Sequence, residues 1–274
     1  LLIMHFKRFL DIKPEISNLF IIFINNKVLY DLNDKTFLLN SSFLNFTNFK
    51  FKKIGIAQDN NINIYAADLS NESFSLSNQG YQSLVEYDLR YLMTILSEKD
   101  LGLVGRANQL LHYLNSNKYC GYCGSVMEFD STEEAMLCKC NNLMIYPKIS
   151  PCVLALIKKD NQILLARNAL FPEGLYSALA GFIEVSETAE ETVIREVFEE
   201  VSLKVNNINY YASQAWPFPS QLMLAYTCDH ESGDIKVDGN EIVDAKWFDI
   251  DNLPNIPPKS TLSGRLINSC ILDH

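Results

Sequence analysis

Short apolar runs alternate with polar breaks near the start of the chain. From Phe20 to about Leu69 these runs read FIIFI, KVLYDL, FKKIGIA and NINIYAADL, and clusters of Asn and Asp separate them. Runs of this length between turn-forming residues are typical of strands. The pattern therefore predicts a small, strand-rich domain.

The next stretch has helical periodicity. From Leu84 to Leu114 the apolar residues recur three and four positions apart, which predicts two helices that meet near Asp100 to Gly102. These helices close the predicted N-terminal domain, which covers residues 1–115.

After Pro151 the chain alternates between strand-like and helix-like patterns. Strands are predicted at CVLALIKK, NQILLARN and LYSALAGFIEV, followed by a helix from about Ala189 to Val201. Further strands are predicted at INYYASQAW, LMLAYTC and DAKWFDI, and a last helix from Thr261 to Ile271. This order predicts an α/β (α+β) sandwich over residues 148–274 with one central helix.

Charge and hydropathy restrict the class of protein. A formal net charge of −10 over 274 residues argues against broad capture of nucleic acid, which needs clustered Lys and Arg. The longest apolar runs are much shorter than the roughly 20 residues of a membrane span. The apolar opening LLIMHFKRFL has no small-residue cleavage site, so it is a poor signal peptide. We expect no membrane association and a cytoplasmic location.

The cysteines indicate a metal site. The chain has seven, and four lie between Cys120 and Cys140, which favours metal ligation in a reducing compartment over a disulfide framework. The spacing of Cys120, Cys123 and Cys138 is similar to that of a zinc ribbon, in which thiolates complete a tetrahedron. A zinc-ribbon-like segment with a structural Zn²⁺ is predicted over residues 116–147.

A cluster of carboxylates marks the predicted central helix. Thr188 and Glu191 form a capping box that fixes where the helix begins, and Val193, Ile194, Val197, Phe198 and Val201 are predicted to form its buried stripe. Glu196, Glu199 and Glu200 lie within one turn, and Arg195 is placed to orient Glu199. The cluster is either the solvated face of an amphipathic helix or a site for hard divalent cations.

The spacing around this helix resembles the Nudix box, G-x5-E-x7-R-E-U-x-E-E-x-G-U, where U is aliphatic. Gly181, Glu187, Arg195, Glu196, Glu199 and Glu200 occupy its fixed positions. Ser202 replaces the last Gly and is expected to need left-handed backbone, and Ser186 replaces a Gly that relatives usually carry. The resemblance implies that Glu196, Glu200 and Glu241 bind Mg²⁺ or Mn²⁺ with the Ala180 carbonyl assisting. Either Glu199 or Glu200 would accept the proton from water.

A second motif indicates the branch of the family. SQAWPFPSQLM, from Ser213 to Met223, resembles the SQPWPFPxS motif of NADH pyrophosphatases, with Ala215 and Gln221 as departures. The resemblance implies that Phe182 and Tyr146 sandwich the adenine ring. It also implies that the substrate contacts Glu133, Arg90, Ser263 and the segment Gln214, Ala215, Trp216, Pro217, Phe218, Pro219, Ser220 and Gln221.

The zinc segment departs from the family pattern C-x2-C…C-x2-C. Asn141 stands at the position of the fourth thiolate, and Cys140 lies one residue earlier. Three alternatives remain: a shifted register that uses Cys140, a site of three cysteines, and lost zinc binding.

The resemblance implies hydrolysis of the pyrophosphate of NAD(H) to nicotinamide mononucleotide and AMP by a homodimer. Within enzymes, the alternatives are decapping of NAD-capped RNA and hydrolysis of another dinucleotide such as ADP-ribose. The non-enzyme alternative is a nucleotide-sensing protein with an inactive Nudix site and a zinc ribbon for partner contact.

Overall fold

The computed structural model describes residues 5–9, 18–40, 52–59, 62–70, 82–237 and 239–272. The chain divides into two compact units. The N-terminal unit comprises Leu1–Lys148 and Pro217–Pro219, and the C-terminal unit comprises Ile149–Trp216 and Ser220–His274. Parts of the predicted domain 1–115, including residues 41–51 and 71–81, lie outside the described residues.

The N-terminal unit contains a seven-stranded sheet, as the apolar runs predict. Its strands are β1 (His5–Phe9), β2 (Leu19–Ile24), β3 (Lys27–Asp31), β4 (Leu39–Asn40), β5 (Lys52–Asp59), β6 (Ile62–Asp68) and β7 (Leu84–Asp88). They follow the order β1-β5-β6-β2-β3-β7, and β4 pairs with β2. Helices α1 (Leu89–Ile95) and α2 (Glu98–Ser116) follow, and α2 buries Val104, Ala107 and Leu111 in the same core as the sheet residues Ile21 and Ile54.

The prediction for Leu84 to Leu114 was wrong in two respects. The segment begins with strand β7, whose alternating exposure and antiparallel pairing with β3 show a period of two. The helices meet at Leu96 and Ser97, because the Ser97 side chain caps α2 by accepting a hydrogen bond from the Asp100 backbone N–H. A cap residue accepts a hydrogen bond from a free backbone N–H in the first turn. The cap at Ser97 therefore starts α2 before the Asp100 to Gly102 region that the apolar spacing indicated.

A small sheet carries the cysteines. Strands β8 (Glu128–Asp130), β9 (Ala135–Cys138) and β10 (Leu143–Ile145) form an antiparallel sheet in the order β10-β9-β8. Tyr113 of α2 anchors it: the Tyr113 hydroxyl donates to the Ile145 carbonyl at 2.6 Å and accepts from the Met136 N–H at 2.7 Å. The sheet therefore belongs to the N-terminal unit.

The C-terminal unit is an α/β/α sandwich, as predicted. Its strands are β11 (Ser150–Lys159), β12 (Gln162–Asn168), β13 (Leu179–Phe182), β14 (Lys204–Trp216), β15 (Gln221–Ser232) and β16 (Ile242–Asp249), and its helices are α3 (Ala189–Val201) and α4 (Leu262–Leu272). The sheet order is β14-β15-β11-β12-β16, β13 pairs with β11, and β11 runs parallel to β15.

Helices cover both faces of this second sheet. Val153, Ala155 and Ile157 of β11 pack in one core with α3, whereas Cys152, Leu154 and Leu156 pack in the other core with α4. Successive side chains of a strand point to opposite faces, so a strand covered on both sides is apolar along its buried part, as CVLALI is in β11. None of the helices within the described residues combines the length and apolar character that a membrane crossing needs.

Candidate active site

Helix α3 begins and ends where the sequence predicts. Thr188 Oγ1 accepts from the Glu191 N–H at 3.2 Å, and the Thr188 N–H donates to Glu191 Oε2 at 2.8 Å, which completes the capping box. Ser202 terminates the helix with left-handed backbone, φ 60° and ψ 24°. Ser186 also has a positive φ of 73°. Ser202 replaces a glycine of the Nudix box, and Ser186 replaces a glycine that relatives usually carry, so both serines adopt conformations that favour glycine.

Arg195 connects three carboxylates and one backbone carbonyl. Its Nε and Nη2 donate to the two oxygens of Glu187 at 2.6 and 2.9 Å. Its Nη1 donates to Glu196 Oε1 at 2.8 Å and, as predicted, to Glu199 Oε2 at 3.1 Å. Its Nη2 also donates to the Phe182 carbonyl at 2.9 Å. Because the pairing with Glu187 is bidentate, it is strong and directional, and it holds the pKa of Glu187 down to about 2.

Glu196 lies against the backbone of strand β13. A Cβ atom on Gly181 would lie 1.9 Å from Glu196 Cδ and 2.0 Å from its Oε1. Only glycine leaves room for this carboxylate, which explains why the first residue of the Nudix box is glycine. The Glu196 side chain is 14% exposed. Burial raises its pKa, whereas the hydrogen bond from Arg195 lowers it.

The buried stripe of α3 differs from the prediction. Val193, Val197 and Val201 are fully buried, but Ile194 and Phe198 are about half exposed. Glu200 is instead 6% exposed. The apolar spacing therefore predicted the centre of the buried face correctly but its edge wrongly. The edge of α3 that turns toward the sheet carries the Glu200 carboxylate and not Ile194 or Phe198.

Three of the predicted metal ligands affect one thiol through their charge. Burial, and after it the negative charges of Glu196, Glu200 and Glu241, raise the pKa of Cys152 to about 12. Cys152 lies on β11, opposite Phe182 in the pairing with β13. Asn168 Nδ2 donates to Glu241 Oε1 at 3.2 Å and holds this third carboxylate from β12.

This donor set fits a hard divalent cation. Glu196 and Glu200 are largely buried, and neighbouring buried carboxylates are costly unless a positive charge lies between them. Mg²⁺ and Mn²⁺ prefer oxygen ligands of this kind. The carbonyl of Ala180 belongs to the exposed residue that precedes Gly181 on β13. The ligand roles of Glu196, Glu200, Glu241 and Ala180 stay predictions.

The C-terminal unit contains part of the predicted substrate site. The Phe182 side chain is 48% exposed. Gln214 holds the start of α4, since its Nε2 donates to the Ser260 carbonyl at 3.0 Å and its Oε1 accepts from the Leu262 N–H at 2.7 Å. Ser263 is 8% exposed, and its Oγ lies 2.7 Å from Ser177 Oγ. At the facing ends of β14 and β15 lie Ala215, Trp216, Ser220 and Gln221.

The N-terminal unit contains the other predicted contacts, and four of them form two pairs. The Arg90 guanidinium lies 4.5 Å from the centroid of the Phe218 ring. The Tyr146 hydroxyl donates to Glu133 Oε2 at 2.8 Å, and this bond raises the pKa of Tyr146. A cleft of about 440 Å³ in this unit has among its lining residues Arg90, Pro217, Phe218 and Pro219.

Several residues near the carboxylates were not predicted from the sequence in their observed roles. Glu187 was recognised as a box position, but its bidentate pairing with Arg195 was not predicted. The fixed sequence spacing between Glu187 and Arg195 in the box could have indicated this pairing. Cys152 and Asn168 gave no signal, because their proximity to the carboxylates results from strand pairing between distant parts of the chain.

Three thiols of the small sheet form a compact group. The Sγ atoms of Cys120, Cys123 and Cys138 lie within 4.8 Å of one another, and those of Cys123 and Cys138 are 3.5 Å apart. A hydrogen bond from Ser125 lowers the pKa of Cys123 to about 6, whereas burial raises the pKa of Cys138 to about 11. This group provides three ligands of the kind that zinc prefers.

Comparisons with known proteins give the relatives of the chain. A family model described as the NUDIX domain matches residues 147–269. The NAD-capped RNA hydrolase NudC of Photorhabdus laumondii is 43% identical over 192 residues, which cover 70% of this chain and 75% of that protein. The protein of the same name from Enterobacter sp. is 46% identical over 169 residues, covering 62% and 66%. A solved NUDIX hydrolase from Nitrosomonas europaea is 24% identical, covers 56% of this chain and 88% of that one, and has a TM-score of 0.46.

Proposed function

The chain belongs to the Nudix hydrolases, in the NADH pyrophosphatase branch, and on that premise we propose that it hydrolyses the pyrophosphate of NAD(H). The products would be nicotinamide mononucleotide, in the redox state of the substrate, and AMP. The observation that carries this proposal is the Arg195 network of the Nudix-box helix, which holds Glu196 at 2.8 Å and Glu199 at 3.1 Å while Glu196 lies against Gly181. The names of the curated relatives support NAD as the nucleotide.

The reaction adds water across one phosphoanhydride bond. The oxygen of water forms a new bond to one phosphorus, the bond from that phosphorus to the bridging oxygen breaks, and the bridging oxygen leaves on the other phosphate. A bound Mg²⁺ or Mn²⁺ would neutralise phosphate charge and lower the pKa of the attacking water. Glu196, Glu200 and Glu241, with the Ala180 carbonyl, would hold it.

The chain's own residues position the carboxylates and would accept the proton of the attacking water. Arg195 fixes Glu196 through the hydrogen bond at 2.8 Å, and Glu187 in turn fixes Arg195. The water's proton would pass to Glu199 or Glu200. Glu199 is the more exposed of the two and accepts from Arg195 at 3.1 Å, while Glu200 is buried. A positioned base of this kind contributes about 10²–10⁴-fold to a rate.

Exposed aromatic rings support the proposed adenine site. The Phe182 and Tyr146 side chains are 48% and 45% exposed. A flat ring that a protein leaves in contact with water can stack on a base. We propose Phe182 and Tyr146 as stacking residues for the adenine, as the family resemblance implies. Arg90, Glu133, Ser263 and the segment from Gln214 to Gln221 would contact the rest of the substrate.

A matched pair of variants tests the function. Purified protein is incubated with NADH and Mg²⁺ or Mn²⁺, and the products are separated by chromatography. Glu200→Gln removes one buried carboxylate charge, whereas Glu190→Gln makes the same change at an exposed position in the first turn of α3. We expect Glu200→Gln to lower kcat by at least about 10²-fold and Glu190→Gln to retain it. Equal activity of both variants would contradict the assigned site.

NAD-capped RNA is a second candidate substrate, which the names of the relatives favour. The net charge of −10 does not favour general attraction of RNA. Comparison of kcat/KM for free NADH, NAD-capped RNA and ADP-ribose distinguishes the three substrates. Absence of decapping would eliminate the second candidate. Tight NADH binding with no cleavage under either metal would favour a sensing protein.

Two further features belong to the proposal. We propose a structural zinc ion at Cys120, Cys123 and Cys138, supported by their compact geometry. We also propose that the protein is a homodimer, which is supported by the family resemblance alone. Multi-angle light scattering of the purified protein tests the oligomeric state, and a monomer would refute it.

A further inference from the structure

The small sheet departs from a four-thiolate zinc site in a specific way. Two thiols are buried, Cys120 at 3% and Cys138 at 0% exposed, and Cys123 is exposed. In a tetrahedral site with zinc–sulfur bonds of about 2.3 Å, the sulfurs lie about 3.8 Å apart. The observed separation of 3.5 Å between the Sγ atoms of Cys123 and Cys138 is close to that value. The three thiols are thus close enough together to supply three corners of a zinc site.

Cys140 does not occupy the fourth corner. Among the residues that the structure describes, the group of potential ligand atoms consists of the other three thiols. Cys140 Sγ instead lies 3.1 Å from Ser125 Oγ, and its side chain is exposed. The turn that presents Ser125 is itself fixed, because the Cys120 N–H donates to the Ser125 carbonyl at 2.8 Å. A shifted register through Cys140 is therefore not the arrangement in this structure.

Asn141 lies beside the group, and both ends of its amide are engaged. Nδ2 donates to Cys120 Sγ at 3.9 Å, which is close to one edge of the tetrahedron. Oδ1 accepts from the Leu143 N–H at 3.2 Å. The Leu143 bond fixes which end of the amide faces the sulfur, because a reversed amide would place two donors against each other. Asn141 therefore acts as a hydrogen-bond donor to the Cys120 sulfur.

From this geometry we propose that the ribbon binds zinc through three thiolates only, those of Cys120, Cys123 and Cys138. Asn141 stabilises the Cys120 thiolate from outside the coordination sphere, and Cys140 takes no part. Three protein ligands leave the fourth coordination position of zinc to solvent or to an added small ligand, as in sites where zinc keeps an exchangeable position. The ion is consequently bound more weakly and exchanges faster than in a site with four thiolates.

Two surface variants test the ligand set without removing a buried thiol. Asn141→Cys introduces a fourth thiolate beside Cys120, and Cys140→Ser removes the thiol that the proposal leaves out. Zinc-loaded full-length protein is mixed with a chromogenic chelator, and the rate of zinc transfer is measured. We expect Asn141→Cys to slow the transfer by about tenfold or more, the size of effect typical of changes around a metal site. We expect Cys140→Ser to leave the rate within about twofold, because it removes no ligand.

Cobalt substitution provides a second readout that does not depend on activity. The Co²⁺-loaded wild type should show thiolate-to-cobalt charge-transfer absorption, which should increase by about one third in Asn141→Cys because a fourth thiolate joins three. Added imidazole should shift the visible bands of the wild type, and Asn141→Cys should resist this shift. Slower zinc transfer from Asn141→Cys, together with its stronger cobalt absorption and its resistance to imidazole, supports the proposal. Loss of metal in Cys140→Ser, or a wild type that binds no metal while Asn141→Cys binds it, would overturn it.

Discussion

The contact between Gly181 and Glu196 provides the sharpest test of the site geometry. In Gly181→Ala the new Cβ would lie 1.9 Å from Glu196 Cδ, and ordinary contact begins near 3.4 Å. The carboxylate must therefore move by roughly 1.5 Å to reach ordinary contact. A misplacement of about 1 Å in a catalytic site can cost about 10²-fold in rate. We expect kcat/KM for NADH to fall about 10²-fold, which corresponds to about 2.7 kcal/mol of transition-state stabilisation.

The fold should tolerate this change, since the group that moves is the end of a flexible side chain. Gly102→Ala is the matched control. Its Cβ on the exposed side of α2 would meet nothing within 4 Å, and alanine stabilises a helix over glycine by about 0.5–1 kcal/mol. We expect unchanged kcat/KM in the control, and thermal unfolding shows that both variants are folded. A folded Gly181→Ala protein with kcat/KM within about twofold of wild type would refute the reasoning.

Three further predictions concern the surroundings of α3. Ser202→Gly should raise the free energy of unfolding by about 1 kcal/mol, because it removes a side chain from left-handed backbone; urea denaturation measures this, and a decrease would contradict it. Arg195→Lys should lower kcat/KM by about 10-fold or more in steady-state assays, because a lysine cannot bridge Glu187 and Glu196 with the same fork. The folded-state pKa of Glu187 is about 2, below the ordinary 4.5, so its stabilisation is present above pH 4.5 and is lost as the pH falls toward 2. The stability difference between wild type and Glu187→Gln should therefore be constant at neutral pH and shrink in acid, and a difference that is independent of pH would disprove this assignment.

Local signals predicted the helix and strand positions of the C-terminal unit. The capping box of Thr188 and Glu191 gave the start of α3, and the left-handed Ser202 gave its end. Both features depend on hydrogen bonds and sterics within a few residues, which a sequence displays directly. In the same way, CVLALI is apolar on both faces because helices cover both sides of its sheet.

The remaining features depend on contacts between distant residues. Periodicity could not show that Glu200 is buried and Phe198 is exposed. The spacing of apolar residues is the same whichever side of the helix packs on the sheet. The approach of Glu196 to Gly181 depends on how α3 packs on β13. Likewise, Asn141 and Cys140 are adjacent in sequence, and only the turn that presents Ser125 distinguishes their roles.

Identification of the products of NADH cleavage in water enriched in ¹⁸O tests the central claim most directly. We expect AMP and reduced nicotinamide mononucleotide, with one ¹⁸O atom in the phosphate of one product, and loss of both products in Glu200→Gln. Release of nicotinamide with ADP-ribose, or no cleavage with either Mg²⁺ or Mn²⁺, would contradict hydrolysis of the pyrophosphate at this carboxylate site.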